Sequence, residues 1–402
     1  MTPKTLSTST ILQAISEESM GFRFGKPERP NESSLACILP ILRETSQVRQ
    51  YITLPETEQV LVFDSGTINK VNLKNASKSN VFIRSGTIFE GKGTQSRAIM
   101  RSAVLFPGTE VALDVRCVHQ THGIRTGAEF KYGGITPLSV DSAVYSAGYR
   151  PQDQHTTWNA VRHTTAVMQS MANPEQASPA MPQPAQRPAS FLSRMRSGYE
   201  GFAPPQPVET PPQTGTVMPW KPPKPFAPPQ QVESPPQPTG MPIPPPPPVV
   251  GHIAFGPAQD NLKQNFDEFA RNFDSILSKA RLHDNQVGLA LITDTGCKTI
   301  ELFDLAASWE AIHKDAVKRM GTELLRGSDN TNVFEYKPEN AIHAVRKVLG
   351  LDYKTNLIYE HKPSNGEPHV AIFGVTASRY VGEIVEVDGR VIHLNILETT
   401  VG

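Results

Sequence analysis

Between Pro174 and Pro248 lie 25 of the chain's 37 prolines. Proline fixes φ and lacks a backbone N–H, so neither a helix nor a sheet ladder can run through a segment of this density. Stretches such as APPQPVETPPQ, KPPKPFAPPQQ and MPIPPPPPVVG therefore read as extended and solvated. This divides the chain into a flank at 1–172, a disordered proline-rich insertion at 173–252 and a second flank at 253–402. A long surface insertion adds little closure entropy, so the flanks are expected to be the two parts of one split α+β domain. Within the insertion, ASFLSRMRSGYEGFAPP spaces Phe191, Leu192, Met195, Tyr199 and Phe202 in a partly helical way. It reads as a docking helix or as a sticky patch. PPKPFAPP and PIPPPPPVV satisfy the PxxP pattern of proline-binding modules, though a plain spacer yields such matches by composition alone.

The first flank is strand-like. Val111, Leu113, Val115 and Cys117 alternate with Glu110, Asp114 and Arg116, the period-two pattern of a half-buried strand. QVLVFD, NKVNLKN, NVFIR and AIMRSAVLF are further strands, separated by DSGT, NASKSN, RSGT and FPGT, whose residues suit tight turns. Many short strands at regular spacing predict a sandwich or barrel-like sheet. TTWNAVRHTTAVMQSMA then begins a helix.

The second flank is mixed. Leu262, Phe266, Phe269, Phe273, Ile276, Leu277 and Ala280 recur at helical spacing, predicting one amphipathic helix capped near Asp260. QVGLALIT and CKTIELF read as strands. SWEAIHKDAVKRMGTELL reads as a helix capped by Ser308, and ENAIHAVRKVLG as one ending on Gly350. YVGEIVEVDGRVIHLNILE is a hairpin turning at Asp388-Gly389. A two-residue turn would put Val385, Val387, Ile392, Leu394 and Ile396 on one face and His393 on the other. Trp158 and Trp309 read as packing anchors, and His393 as a partly buried, hydrogen-bonded histidine.

Lys plus Arg equals Asp plus Glu at 39 each, so nothing in the net charge indicates nucleic acid or an acidic membrane as partner. Three widely spaced cysteines, Cys37, Cys117 and Cys297, suit a reducing compartment, and a cytoplasmic location is the expectation. The first residues lack the apolar core of a secretion signal. No run approaches the roughly 18 apolar residues of a spanning helix, so no membrane partner is expected.

Two polar clusters carry candidate chemistry. In GKGTQSR, residues 91–97, glycines flank Lys92, Gln95 and Arg97. Backbone amides beside two cations and a carboxamide can cradle a phosphate. Yet the order of residues fits neither the Walker nor the dinucleotide pattern, and a polar turn between strands remains the rival reading. In CVHQTHGIR, residues 117–125, the Cys and His spacing has no second ligand pair, so no metal site is read. His119, Gln120, His122 and Arg125 instead leave a strand end together, as a pocket wall or a solvated loop. No nucleophile stands in a diagnostic motif.

The order of these elements, from NKVNLKNASKSNVFIRSGTIFEGKGTQSRAIMRSAVLFPGTEVALDVRCVH to the terminal HLNILE, resembles the ARG and rhodanese-phosphatase-superfamily-associated protein domain family. Gly93, Gln95 and Arg97 fit that family's Gly-x-Lys-Gln-Asn-Arg-like turn, with Thr94 and Ser96 replacing its Lys and Asn. Cys117 and Val118 fit its Cys-Val-Glu, with His119 in the acidic place, and His122 and Gly123 stand where Arg-Trp is expected. The resemblance implies a role near ADP-ribose or phosphate-ester chemistry. The replaced carboxylate leaves enzymatic activity undecided, and no cofactor is indicated.

The expectation is thus a ligand-binding or processing domain for an ADP-ribose-like or nucleotide-derived phosphate-bearing group. Its ligand-binding residues would be Lys92, Gln95, Arg97, His119 and Arg125. The alternative is a non-enzymatic interaction or scaffold protein that acts through its proline-rich segment.

Overall fold

A computed structural model describes residues 8–32, 34–91, 93–118, 123–146, 154–172, 262–326, 337–363 and 366–399. The proline-rich segment, Asp260, Lys92, His119 and His122 lie outside them. The described parts of both flanks form one compact unit.

Helix α1 (Thr8–Ser16) leads into β1 (Phe22–Phe24), β2 (Cys37–Arg43) and β3 (Ile52–Thr53). The strand-rich stretch follows as β4 (Val60–Asp64), β5 (Lys70–Asn75), β6 (Val81–Ile83), β7 (Thr87–Gly91), β8 (Arg97–Ile99), β9 (Ala103–Leu105), β10 (Glu110–Cys117) and β11 (Glu129–Ile135). Helices α2 (Leu138–Ser146), α3 (Gln154–Ala172), α4 (Leu262–Asn272) and α5 (Asp274–Leu277) come next. Strands β12 (Gln286–Thr293) and β13 (Gly296–Phe303) precede α6 (Ala306–Lys318), α7 (Gly321–Leu325) and α8 (Pro338–Leu349). The chain ends on β14 (Lys354–His361), β15 (Val370–Ala377), β16 (Tyr380–Val387) and β17 (Arg390–Glu398).

The fold is α+β, as the sequence predicts. Six strands close a barrel in the order β10-β5-β4-β11-β7-β8. Its interior is filled by Val62, Val71, Leu73, Phe89, Ile99, Val115 and Phe130, because alternate residues of each strand face inward. The second layer is an eight-stranded sheet, β1-β2-β12-β13-β17-β16-β15-β14. It draws β1 and β2 from the first flank and the other six strands from the second. One face of this sheet carries Leu39, Ile41, Ile300, Leu394 and Ile396 against α1 and α8. The other carries Leu289, Phe303, Val385 and Ile392, packed with α6, with Phe82 and with Leu138 of α2.

Several local readings are corrected. The amphipathic run from Leu262 breaks at Phe273, whose φ of −118° and ψ of 13° lie off the helical values, so two helices replace one. The helix around Trp309 starts at Ala306 with Leu305 at its cap. Ser308 is buried inside it, where its hydroxyl accepts a 3.1 Å hydrogen bond from Arg49 Nε. Gly350 does end α8. Asp388 and Gly389 take the positive φ values of 50° and 72° that a tight hairpin turn requires. The predicted apolar face of that hairpin, however, splits. The register shifts so that Val385 pairs with His393 while Glu386 pairs with Val391, leaving Ile392 as the extra residue. Val385, Val387 and Ile392 therefore join one core, Leu394 and Ile396 the other. Trp309 is fully buried and Trp158 half-buried.

Candidate functional site

The turn at residues 91–97 links β7 to β8 at one end of the barrel. Its chemistry points inward. Ala98 packs outside the barrel with Val118, Val140 and Leu262, while Ile99 faces the interior, so alternation places Arg97 inside. Arg97 is fully buried, and its Nη1 donates to the Gln95 carbonyl at 2.9 Å and to Gln95 Oε1 at 3.1 Å. Its Nη2 lies 3.9 Å from Asp64 Oδ2. Among the described residues neither Nε nor Nη2 meets an oxygen or nitrogen acceptor. Directly across the ladder stands Cys117. Burial lowers the Arg97 pKa, opposed by Cys117, through charge and a side-chain hydrogen bond, and by Asp64.

Asp64 ties this end together. It accepts from Thr94 Oγ1 at 2.5 Å, from the Arg125 amide at 3.3 Å and from the Gly66 amide at 2.9 Å. The 93–97 and 123–127 loops thereby meet. Gly93 has a φ of 73°, and Arg125 Nη1 lies 3.8 Å from where a Cβ on Gly93 would sit. Arg125 itself is exposed. From below, the Gln154 side chain at the start of α3 bonds both the amide and the carbonyl of Cys117, at 2.9 and 2.7 Å.

Of the five residues singled out in the sequence, the structure brings Gln95, Arg97 and Arg125 to one barrel end. Gln95 and Arg97 are buried and Arg125 is not. Lys92 and His119 fall outside the described residues. The arrangement offers an anion two cationic groups at one barrel end, the buried Arg97 guanidinium and the exposed Arg125, whose Nη1 comes close to Gly93.

A second constellation, at the junction of barrel and sheet, escapes sequence reasoning. Glu301 of β13 is fully buried and receives Arg84, whose Nη2 donates at 3.1 Å, together with Arg319 and His393. Asp141 of α2 lies 3.4 Å from Arg84 and 3.1 Å from Arg319, and also accepts from Thr136. Burial, the largest single influence, raises the Glu301 pKa, but Arg84 and His393 together outweigh it, so Glu301 is held below its usual value. For Asp141 burial wins, and its pKa is pushed up to about 6 despite Arg84. Glu383 of β16 accepts from the Ser102 amide, at 3.0 and 3.2 Å, and from the Ser102 side chain, and burial pushes it up to about 7. His393 is lowered by burial, against Glu301. Its Nε2 lies 3.2 Å from Glu301 Oε1, while Nδ1 is buried with no partner among the described residues. This network welds the two layers. A cavity of about 10 Å³ lies beside Arg84, walled by Phe82, Tyr132 and Phe303. No periodicity could have revealed it, since its members come from six separate segments.

Residues 25–217 match the family model described as the ARG and Rhodanese-Phosphatase-superfamily-associated Protein domain. The match covers the whole barrel and Arg84 and Asp141, whereas Glu301, Glu383 and His393 lie beyond it. Neither a curated protein nor a solved structure matches the chain.

Proposed function

We propose that this chain, with its match to the ARG and rhodanese-phosphatase-superfamily-associated domain over residues 25–217, binds a phosphate-bearing, nucleotide-derived group at the barrel end. The supporting observation is the Arg97 guanidinium: fully buried, at 3.9 Å from the Asp64 carboxylate, with Cys117 beside it and with Nε and Nη2 meeting no oxygen or nitrogen acceptor among the described residues. Buried donors left unpaired cost free energy that a bound anion would recover. Arg125 would engage the anion from the solvent side, and Gln95 would orient Arg97. Lys92 and His119 belong to the same proposal through their places in the two loops. The ADP-ribose-like character rests on the family's name rather than on geometry.

Thermal shift of the full-length protein with ADP-ribose, ADP, ribose 5-phosphate, inorganic phosphate and adenosine tests the reading. A ligand at about one hundred times its Kd stabilises the folded state by about 2.7 kcal/mol. The expected result is a rise with the phosphate-bearing compounds, none with adenosine, and loss of the rise in Arg125→Ala, whose side chain is exposed. No rise with any phosphate compound, or the same rise in Arg125→Ala and Arg97→Met, would overturn it. The scaffold alternative rests on the proline pattern of residues 174–248. Deleting that segment and finding unchanged partner recovery from cell extract would reject it.

A further inference from the structure

On the sheet face away from the barrel, α1 and α8 cover the strands unevenly. Between the end of α1, the residues just after α8 and strands β14 to β16 lies an open groove of about 570 Å³, within the range of small-molecule sites. Its walls are apolar at Leu12, Leu351 and Phe373, with Tyr353 adding a second ring. Its charged lining is uniformly acidic: Glu17, Asp352 and Glu386, with neither lysine nor arginine among the lining residues.

Glu386 is the unusual member. It shares its strand face with Ile384, which belongs to the core beneath α8, and is only 7 % exposed. Among the described residues it has no hydrogen bond or ion pair. His369 acts on it only through space, and that ring is engaged by Glu360 at 3.1 Å. Glu17 by contrast accepts from Gln13 at 2.8 Å. The Glu386 side chain is thus largely withdrawn from solvent with no cation paired to it, and a cation entering the groove would compensate its charge.

We propose that this groove is a binding site for a small organic cation, an ammonium group carried on an apolar or aromatic body. The ammonium would pair with Glu386, with Asp352 at the rim reinforcing the negative field. The body would lie against Leu12 and Phe373, and the aromatic rings suit a cation as well as an apolar group. The site is independent of the anion site proposed at the barrel end, being built from other elements on the other face of the sheet.

The test is isothermal titration of the full-length protein with phenethylammonium and benzyltrimethylammonium chlorides, with sodium phenylacetate as the anionic counterpart. Saturable binding of the cations and none of phenylacetate is expected. Glu386→Gln should weaken the cations by about tenfold or more, the scale of a hydrogen bond to a charged group. Asp352→Asn, at an exposed position that cannot endanger folding, should weaken them less, by about two- to threefold. Absence of saturable binding by either cation, phenylacetate binding as well as they do, or affinity unchanged in both variants would each overturn the proposal. Arg125→Ala should leave cation binding intact, which separates this site from the one at the barrel end.

Discussion

His393 Nε2 lies 3.2 Å from Glu301 Oε1, with both side chains wholly withdrawn from solvent. The same carboxylate receives Arg84 and Arg319, so one acidic group on β13 organises three basic side chains from three other segments. Replacing it with an amide leaves two buried guanidinium groups with a single remaining carboxylate, Asp141. Glu301→Gln should therefore cost about 3–5 kcal/mol, the scale of breaking a buried ion pair. Urea denaturation followed by circular dichroism measures this. A loss under about 1 kcal/mol would show that the centre is held by packing rather than charge.

Glu383 should make stability depend on pH in a direction unusual for a carboxyl. Its pKa rises from 4.5 to about 7 on folding because burial outweighs the hydrogen bonds from Ser102. The folded state then holds the proton more tightly than the unfolded one. Its contribution is full below about 4.5 and is lost as pH rises to about 7, amounting to roughly 3 kcal/mol at most. Glu383→Gln keeps an acceptor for Ser102 and should flatten that decline. Comparing Tm against pH for the two proteins between about pH 5 and 8 checks it: a constant difference would be inconsistent with a raised pKa.

His393 works in the opposite sense. Burial lowers its pKa from 6.5, so the unfolded chain takes up the proton first, and stability is lost as pH falls below that value. His393→Gln should remove this acid sensitivity, seen as a shallower fall in Tm below about pH 6.5.

Gly86 holds the turn between Arg84 and the barrel strand β7 with a φ of 74°. A Cβ there would stand 2.3 Å from Asp141 Oδ1 and 2.5 Å from Thr136 Oγ1. Gly86→Ala should cost more than about 2 kcal/mol, through positive φ and through displacement of Asp141 from Arg84. Gly108→Ala supplies the control. Its φ of 73° is nearly the same, but nothing lies within 4 Å of its Cβ position, so its cost should be the smaller by a margin that measures the clash.

Asp64 fastens the two loops of the barrel end through Thr94, Gly66 and the Arg125 amide. Asp64→Ala should cost about 2–4 kcal/mol, since it strips acceptors from buried donors and the nearest carboxylate from Arg97. Hydrogen exchange offers the local readout. The Gly66 and Arg125 amides should lose protection while amides of β15 and β16 keep theirs.

What the sequence determined was local. Alternation and turn residues marked β4, β5 and β10 of the barrel though not β11, helical spacing marked α3, α6 and α8, and Asp388-Gly389 marked the hairpin turn. Each is set by residues within a few positions of one another, where backbone propensity and side-chain period act directly. The sequence also marked Gly93, Gln95 and Arg97 as a unit, but not that Arg97 turns into the barrel. The tertiary structure alone decided that, because burial depends on which strands close the ring. It also decided the helix break at Phe273, the bulge at Ile392 and the meeting of Arg84 with Glu301, 217 positions apart. A buried charge reads in sequence like any exposed one. Only the fold, by excluding water and bringing opposite charges together, makes it part of a centre.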